Sequence, residues 1–366
     1  ISDGITYDIA VPAGALTISN GAEYALSTSV TLTVSASDNN SLANMRFSND
    51  GTNWSPAEPY QTATAKSWTL ASDDGPKTVY ARFQDAAGLW SGPTTTILDT
   101  ITLDMSAPTG TITGFQGLTA LSTIPTVTLN LPCADANGCT EMRFSNDGMT
   151  WSSSVAYPGS QVWNLNDPAF GGVPSDGSKT VYAQFKDAAG NWSSSVINKT
   201  ITLDATPPSG TIVLNTYSTV ATSQTATLTL TCSDATSGCS EMQFKNESGS
   251  WSAPVTFATA TTWSLVSTDG TTTVYARFKD TAGTWSAAVS DDIYLDAHAP
   301  ATTASPATSA SLGQPISVTL ACSDGQGIGC GGTYYTANGD APTTSSTLYT
   351  GATITIQDTT TLKYFS

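Results

Sequence analysis

A pattern about one hundred residues long recurs three times in this chain, and it constrains the fold more than any other feature. MRFSNDGTNW begins at Met45, MRFSNDGMTW at Met142 and MQFKNESGSW at Met242, spacings of 97 and 100 residues. A second motif follows each: TVYARFQDAAGLW from Thr78, TVYAQFKDAAGNW from Thr180 and TVYARFKDTAGTW from Thr273. Each repeat closes with ITLD, ITLD or IYLD at Asp104, Asp204 and Asp296, and a proline follows at Pro108, Pro207 or Pro300. A period of this size is a whole domain. One turn of a solenoid needs only ~20–45 residues.

Within each repeat the local pattern is that of strands. SVTLTVSA, TVTLNLPCA and TATLTLTCS alternate apolar and small polar residues, as a half-buried strand does. SNDG and NESG supply the turn chemistry of tight hairpins, and DDG, SDG and TDG mark a turn before each TVYA strand. Gly75 to Tyr80, Gly177 to Tyr182 and Gly270 to Tyr275 share one spacing. It predicts a tyrosine corner, with the hydroxyl reaching back to the preceding turn. No stretch has sustained helical periodicity. The chain is therefore read as all-β, a tandem array of immunoglobulin-like β-sandwiches forming an elongated rod. The expected domains are residues 12–104, 105–204, 205–297 and 298–366, after a lone strand at 1–11. The joints SAP (Ser106–Pro108), TPP (Thr206–Pro208) and HAPATTASP (His298–Pro306) contain proline, which restricts them.

These motifs resemble the bacterial immunoglobulin-like (fibronectin III-like) repeats of large secreted and surface proteins, over roughly residues 12–297. The resemblance implies the fold and an extracellular or cell-surface location; it is weak for function. The fourth unit differs. Its stretch YYTANGDAPTTSSTLYTG, Tyr334–Gly351, closely resembles the chitobiase/β-hexosaminidase C-terminal type of immunoglobulin-like module. TTLKYFS takes the place that TVYARFK holds earlier. Members of that family continue into a DxAGN-like turn and a last strand, so domain four is expected to lack its last strand.

The opening residues ISDGITYDIAVP align without a gap on VSDDIYLDAHAP, Val289–Pro300. Ile1 matches Val289, Ile5 matches Ile293, Tyr7 matches Leu295 and Ile9 matches Ala297. Those four side chains would face a core. The expected acceptor is domain four, with Leu362 and Tyr364 on the strand beside the gap. Donation of residues 1–11 of one copy into the next makes the chain its own partner, a head-to-tail homopolymer. The same two ends also arise if these residues are a window of a longer array. A spacer or adhesion segment, with glycans or other surface components as partners, is the second reading.

Other features exclude functions more than they assign them. Twelve Lys and Arg against twenty-nine Asp and Glu give a net charge of −17, which disfavours nucleic acid and anionic membranes. No apolar run reaches the ~18 residues that span a bilayer. The six cysteines fall in close pairs, Cys133/Cys139, Cys232/Cys239 and Cys322/Cys330, and point to disulfides in an oxidising compartment. The nine tryptophans occupy three places in three repeats: Trp54/Trp151/Trp251, Trp68/Trp163/Trp263 and Trp90/Trp192/Trp285. Recurrence at fold positions favours packing over sugar-stacking platforms. Asp8, Asp104, Asp204 and Asp296 at domain ends, and Asp85, Asp187 and Asp280 in the DAAG-type turns, are the residues that calcium at the joints would use. No DxDxD-like spacing supports calcium, and turn Asp commonly caps its own backbone. No metal ligand and no cofactor is assigned. The single His298 lies in a joint, and no nucleophile elbow or phosphate loop occurs. No catalytic residue is assigned, and no enzyme activity is expected.

Overall fold

The computed structural model describes residues 7–61, 65–92, 96–266, 268–307, 314–357 and 361–366. Ile1 and Ile5 lie outside the described residues. Two compact units, Ile1–Leu203 and Asp204–Ser366, divide the chain.

The first sandwich shows why this sequence folds as it does. Its strands are β1 (Ala13–Ile18), β2 (Tyr24–Ala25), β3 (Ser29–Ser37), β4 (Leu42–Ser48), β5 (Glu58–Pro59), β6 (Lys66–Thr69), β7 (Gly75–Asp85) and β8 (Ile97–Leu103). One sheet runs β1–β3–β6 and the other β2–β8–β7–β4–β5. The period-two pattern sends Val30, Leu32 and Val34 of β3 inward from one sheet. Met45 and Phe47 of β4 and Val79, Ala81 and Phe83 of β7 point inward from the other. The intervening side chains face out, so each strand divides its residues between core and solvent. Met45 pairs with Phe83 and Phe47 with Ala81, which sets large against small across the β4–β7 ladder. A register shift between Leu42 and Asn44 bends the entry of β4.

Domains two and three repeat this plan. The five-stranded sheets again centre on the long strands Gly177–Asp187 and Gly270–Asp280, each flanked on one side by the domain's closing strand, Ile197–Leu203 or Val289–Leu295. A glycine recurs in the first strand of each sandwich because a side chain has no room there. A Cβ at Gly110 would lie 2.3 Å from the Phe185 ring, and one at Gly210 would lie 2.5 Å from that of Phe278.

The expected tyrosine corner is not what forms. Tyr80 alternates with the inward Val79 and Ala81 and faces out, where its ring lies against the hairpin glycine Gly51; Tyr182 meets Gly148 in the same way. No hydroxyl bond from Tyr80, Tyr182 or Tyr275 to the preceding turn occurs among the described residues. The tyrosines that tie strands by their hydroxyls are Tyr60, which accepts from the Ala36 N–H at 2.9 Å, and Tyr157, which donates to the Leu131 carbonyl at 2.6 Å. Spacing alone could not tell the outward tyrosine from these.

Domain four is thinner. Ala301–Ser305, Ile316–Ser323 and Ile354–Ile356 form one sheet; Thr347–Leu348, Tyr334–Thr336 and Lys363–Phe365 form the other, in that spatial order. Among the described residues only Val318, Leu320 and Ile354 are buried apolar residues of its core, against fifteen in domain one.

Candidate functional site

Three features stand out: recurrent tryptophan–arginine ladders, recurrent carboxylate clusters, and one open sheet edge. The ladders are structural. Arg46 lies 5.1 Å from the Trp54 ring centre and 4.3 Å from that of Trp90, on the outward face of β4. Arg143 takes the same place between Trp151 and Trp192; in domain three Gln243 stands there, and Arg277, opposite it on Gly270–Asp280, lies between Trp251 and Trp285. Trp68, Trp163 and Trp263 instead pack on Phe47, Phe144 and Phe244 and donate to Asn49, Asn146 and Asn246. All nine tryptophans are therefore held by the fold.

A motif that sequence reasoning passed over explains the first set. Every ladder tryptophan is followed by a serine. Ser55 donates its N–H to the Phe47 carbonyl, and its Oγ accepts from the Phe47 N–H. Ser91 does the same for Phe83, Ser152 for Phe144, Ser193 for Phe185, Ser252 for Phe244 and Ser286 for Phe278. Six Trp-Ser dipeptides thus close the ladder where a neighbouring strand has ended. The signal was present as a repeated dipeptide.

The six cysteines form Cys133–Cys139, Cys232–Cys239 and Cys322–Cys330. In domain one Ala36 and Leu42 stand at the matching places and pack against the core.

The Asp residues of the domain ends and DAAG-type turns do converge, each time with a third Asp from the loop after the second long strand. The groups are Asp8/Asp38/Asp85, Asp104/Asp135/Asp187 and Asp204/Asp234/Asp280, with one carboxylate oxygen from each residue within 4.8 Å of the others. Turn capping is also real. Asp85 Oδ1 accepts from Leu89 N–H, Asp187 Oδ1 from Gly190 and Asn191, and Asp280 Oδ1 from Gly283 and Thr284. Capping engages one oxygen of each. Asp135 is pushed up from its ordinary range, first by burial and then by the charges of Asp104 and Asp187. In domain four Asp296 and Asp324 hold two of the three positions, and both accept from the backbone of Ile328–Gly329.

A second carboxylate contact also recurs where one domain leads to the next. Asp74 accepts from Met105 N–H and Ser106 Oγ; Asp269 accepts from Ala297 N–H and pairs with His298 at 3.0 Å. These bonds hold the Asp269 carboxyl below its usual range, the Ala297 N–H contributing most. His298 thus serves a joint.

The open edge lies in domain four. In domains one to three the long strand has neighbours on both sides, but among the described residues Lys363–Phe365 is bonded only to Tyr334–Thr336. Leu362 and Tyr364 pack against the small core beside this edge, while Phe365 turns outward onto Tyr334. At the other end of the chain Tyr7 is 85% and Ile9 73% exposed. Their counterparts are the buried Leu295 and the half-buried Ala297.

Residues 306–366 match the family model of the chitobiase/beta-hexosaminidase C-terminal domain. The last unit is thus similar to this chitobiase-type module, and the units before it share the two-sheet sandwich plan. No match was found among curated proteins. Among solved structures, the chain is similar to a Ca2+-stabilized, ice-binding adhesin of an Antarctic bacterium, at 16% identity and a TM-score of 0.47, covering 96% of this chain and 92% of that one. It is also similar to the fibronectin(III)-like modules of Clostridium thermocellum CbhA, at 16% identity and 0.31, covering 50% and 93%. A third is the Escherichia coli adhesin FdeC, at 15% identity and 0.36, covering 77% and 96%. Similarity this low carries no argument about function.

Proposed function

We propose that this chain is a structural segment of an extracellular fibre or adhesin, and that copies join head to tail by a donated strand. The observation that supports the reading is the edge of Lys363–Phe365, unpaired among the described residues, over a core in which three of them are buried apolar side chains. An unpaired edge beside exposed apolar side chains is a template for another strand. The segment Ile1–Ile9 has the sequence of a closing strand, and its described apolar residues, Tyr7 and Ile9, are exposed. Burying Ile1, Ile5, Tyr7 and Ile9 there is worth roughly 6–10 kcal/mol gross, at about 1.5–3 kcal/mol each, before the cost of ordering the segment. One such contact per copy, repeated without closure, gives a filament. Disulfides in domains two to four fit an oxidising, extracellular setting. A glycan-binding role has less support, because the tryptophans that would stack on sugars are engaged in ladders and cores.

The test is electron microscopy of purified chain 1–366 beside a chain that starts at Pro12. Long filaments from the first and single particles from the second are expected. Single particles from both would leave a spacer segment and remove the polymerisation.

A further inference from the structure

The three tryptophan–arginine ladders are not equally satisfied. In domain two Arg143 faces Gln184 across the paired strands, and Gln184 Oε1 accepts from Arg143 Nε at 3.0 Å and Nη2 at 2.7 Å. Domain three exchanges the two residues: Gln243 faces Arg277 and accepts from its Nε at 2.8 Å and its Nη2 at 2.6 Å. In domain one an arginine stands on both sides, Arg46 opposite Arg82. Neither side chain makes a hydrogen bond or an ion pair among the described residues, and Arg46 Nε is buried without a partner. A guanidinium has five donors and no acceptor, so one arginine cannot satisfy the other. Like charges directly opposite each other in a sheet are destabilising. Arg46 is pushed down from its ordinary value, first by burial and then by the charge of Arg82. Domains two and three form the same sandwich with one arginine and one glutamine, so the fold does not require the second arginine of domain one.

Beside this pair lies a cleft of about 190 Å³, lined by Arg82, Trp54, Tyr80, Gly51, Gly92 and Thr96, with no acidic residue among those that line it. Asp50, the neighbour of Gly51, commits both oxygens to its own turn: Oδ1 accepts from Ser48 Oγ and from the N–H groups of Thr52 and Asn53, and Oδ2 accepts from Asn53 Nδ2. The Arg82 guanidinium lies 4.6 Å from the Trp54 ring centre. Stacking engages its flat face and leaves the in-plane fork of N–H donors free, which matches the two oxygens of a carboxylate. The net charge of −17 opposes a phosphate or sulfate dianion about twice as strongly as a carboxylate monoanion. The hydroxyls of Tyr80 and Thr96, on the same cleft, suit a ligand that carries hydroxyls of its own.

We propose that this cleft binds the carboxylate of an acidic sugar, such as a uronic acid unit of an extracellular polysaccharide, through Arg82, with Arg46 supplying a second positive charge across the strands. Recognition rests on a guanidinium and two hydroxyls, not on a free tryptophan face. It is independent of how copies of the chain join.

The test uses the full chain with isotope-labelled arginine in nuclear magnetic resonance. The chain has four arginines, Arg46, Arg82, Arg143 and Arg277, so four side-chain Nε–H signals report on the three ladders. Sodium glucuronate at physiological salt should shift the Arg82 and Arg46 signals to saturation and leave those of Arg143 and Arg277 in place. Glucose, which lacks the carboxylate, should shift none. Arg82→Gln gives domain one the arginine–glutamine pair that domain two already has, so it keeps the fold, and its affinity for glucuronate should fall at least about tenfold. Arg82→Lys keeps the charge without the fork and should also bind more weakly than the parent chain. No saturable shift, equal shifts at all four arginines, or undiminished binding by Arg82→Gln would overturn the site. Equal binding by Arg82→Lys, or displacement of glucuronate by an equal concentration of sulfate, would overturn the assignment to a carboxylate held in the fork.

Discussion

The smallest recurrent device is a serine behind a tryptophan. Ser91 is buried, and its Oγ accepts from the Phe83 N–H at 3.0 Å, at a place where the adjoining strand has run out. Ser91→Ala leaves that buried N–H without an acceptor, which costs about 1–3 kcal/mol. The domain-one calorimetric transition should therefore fall by several degrees, while Ser91→Thr, which keeps the oxygen, should fall less. The turn carboxylates make a second prediction at this scale. Asp50 and Asp147 are held well below the usual carboxylate range, chiefly by the backbone N–H groups of Asn53 and Thr150. A depressed folded pKa adds stability above the unfolded value of about 3.9 and loses it as pH falls below that. Unfolding temperatures of domains one and two should decline between about pH 5 and pH 2, and less so in the Asp50→Asn/Asp147→Asn variant. Glu247 stands in the corresponding hairpin of domain three, so this contribution belongs to the first two repeats. Legibility was uneven among these residues. Hairpin turns are local chemistry and were read directly from SNDG. The Ser–Phe bonds and the carboxylate clusters join residues from separate elements, so only recurrence hinted at them.

At the scale of elements, alternation carried the reading. Val30, Leu32 and Val34 repeat every second residue, and a strand with that pattern can bury only one face. The same logic places Lys77 and Asp85 on the inward side of β7, at its two ends, which hydrophobicity alone would not have shown. The tyrosine corner was misread because the Gly75–Tyr80 spacing fits an outward tyrosine equally well. Disulfides were legible from their close spacing, and each clamps the loop between two strands. Closing a loop of six to eight residues contributes about 2 kcal/mol. Reduction with a small dithiol should lower the transitions of domains two, three and four. Domain one, which packs Ala36 and Leu42 instead, should melt unchanged in the same scan.

For the whole molecule the decisive question is what meets the edge of Lys363–Phe365. In domain three the equivalent position is filled by Val289–Leu295, whose Ile293 and Leu295 are buried. In domain four Leu362 and Tyr364 lie beside the corresponding edge, and among the described residues no strand pairs with it. If a strand of the Ile1–Ile9 type completes it, that strand need not be covalently attached. A synthetic peptide of residues 1–11, added to a chain that begins at Pro12, should therefore dock in trans. Pairing would bury backbone amides that now face solvent, and local opening of the domain would become rarer. Amide exchange at Ile354–Ile356 and Lys363–Phe365 should slow at least about tenfold, which corresponds to about 1.4 kcal/mol of local stabilisation. A peptide with Ile5 and Tyr7 replaced by Asp keeps the backbone donors but cannot bury those side chains, and it should give no protection. Equal protection by both peptides would mean that the edge accepts any extended chain. No protection by either would mean that domain four is closed by a segment of different sequence, and that the opening residues have another partner.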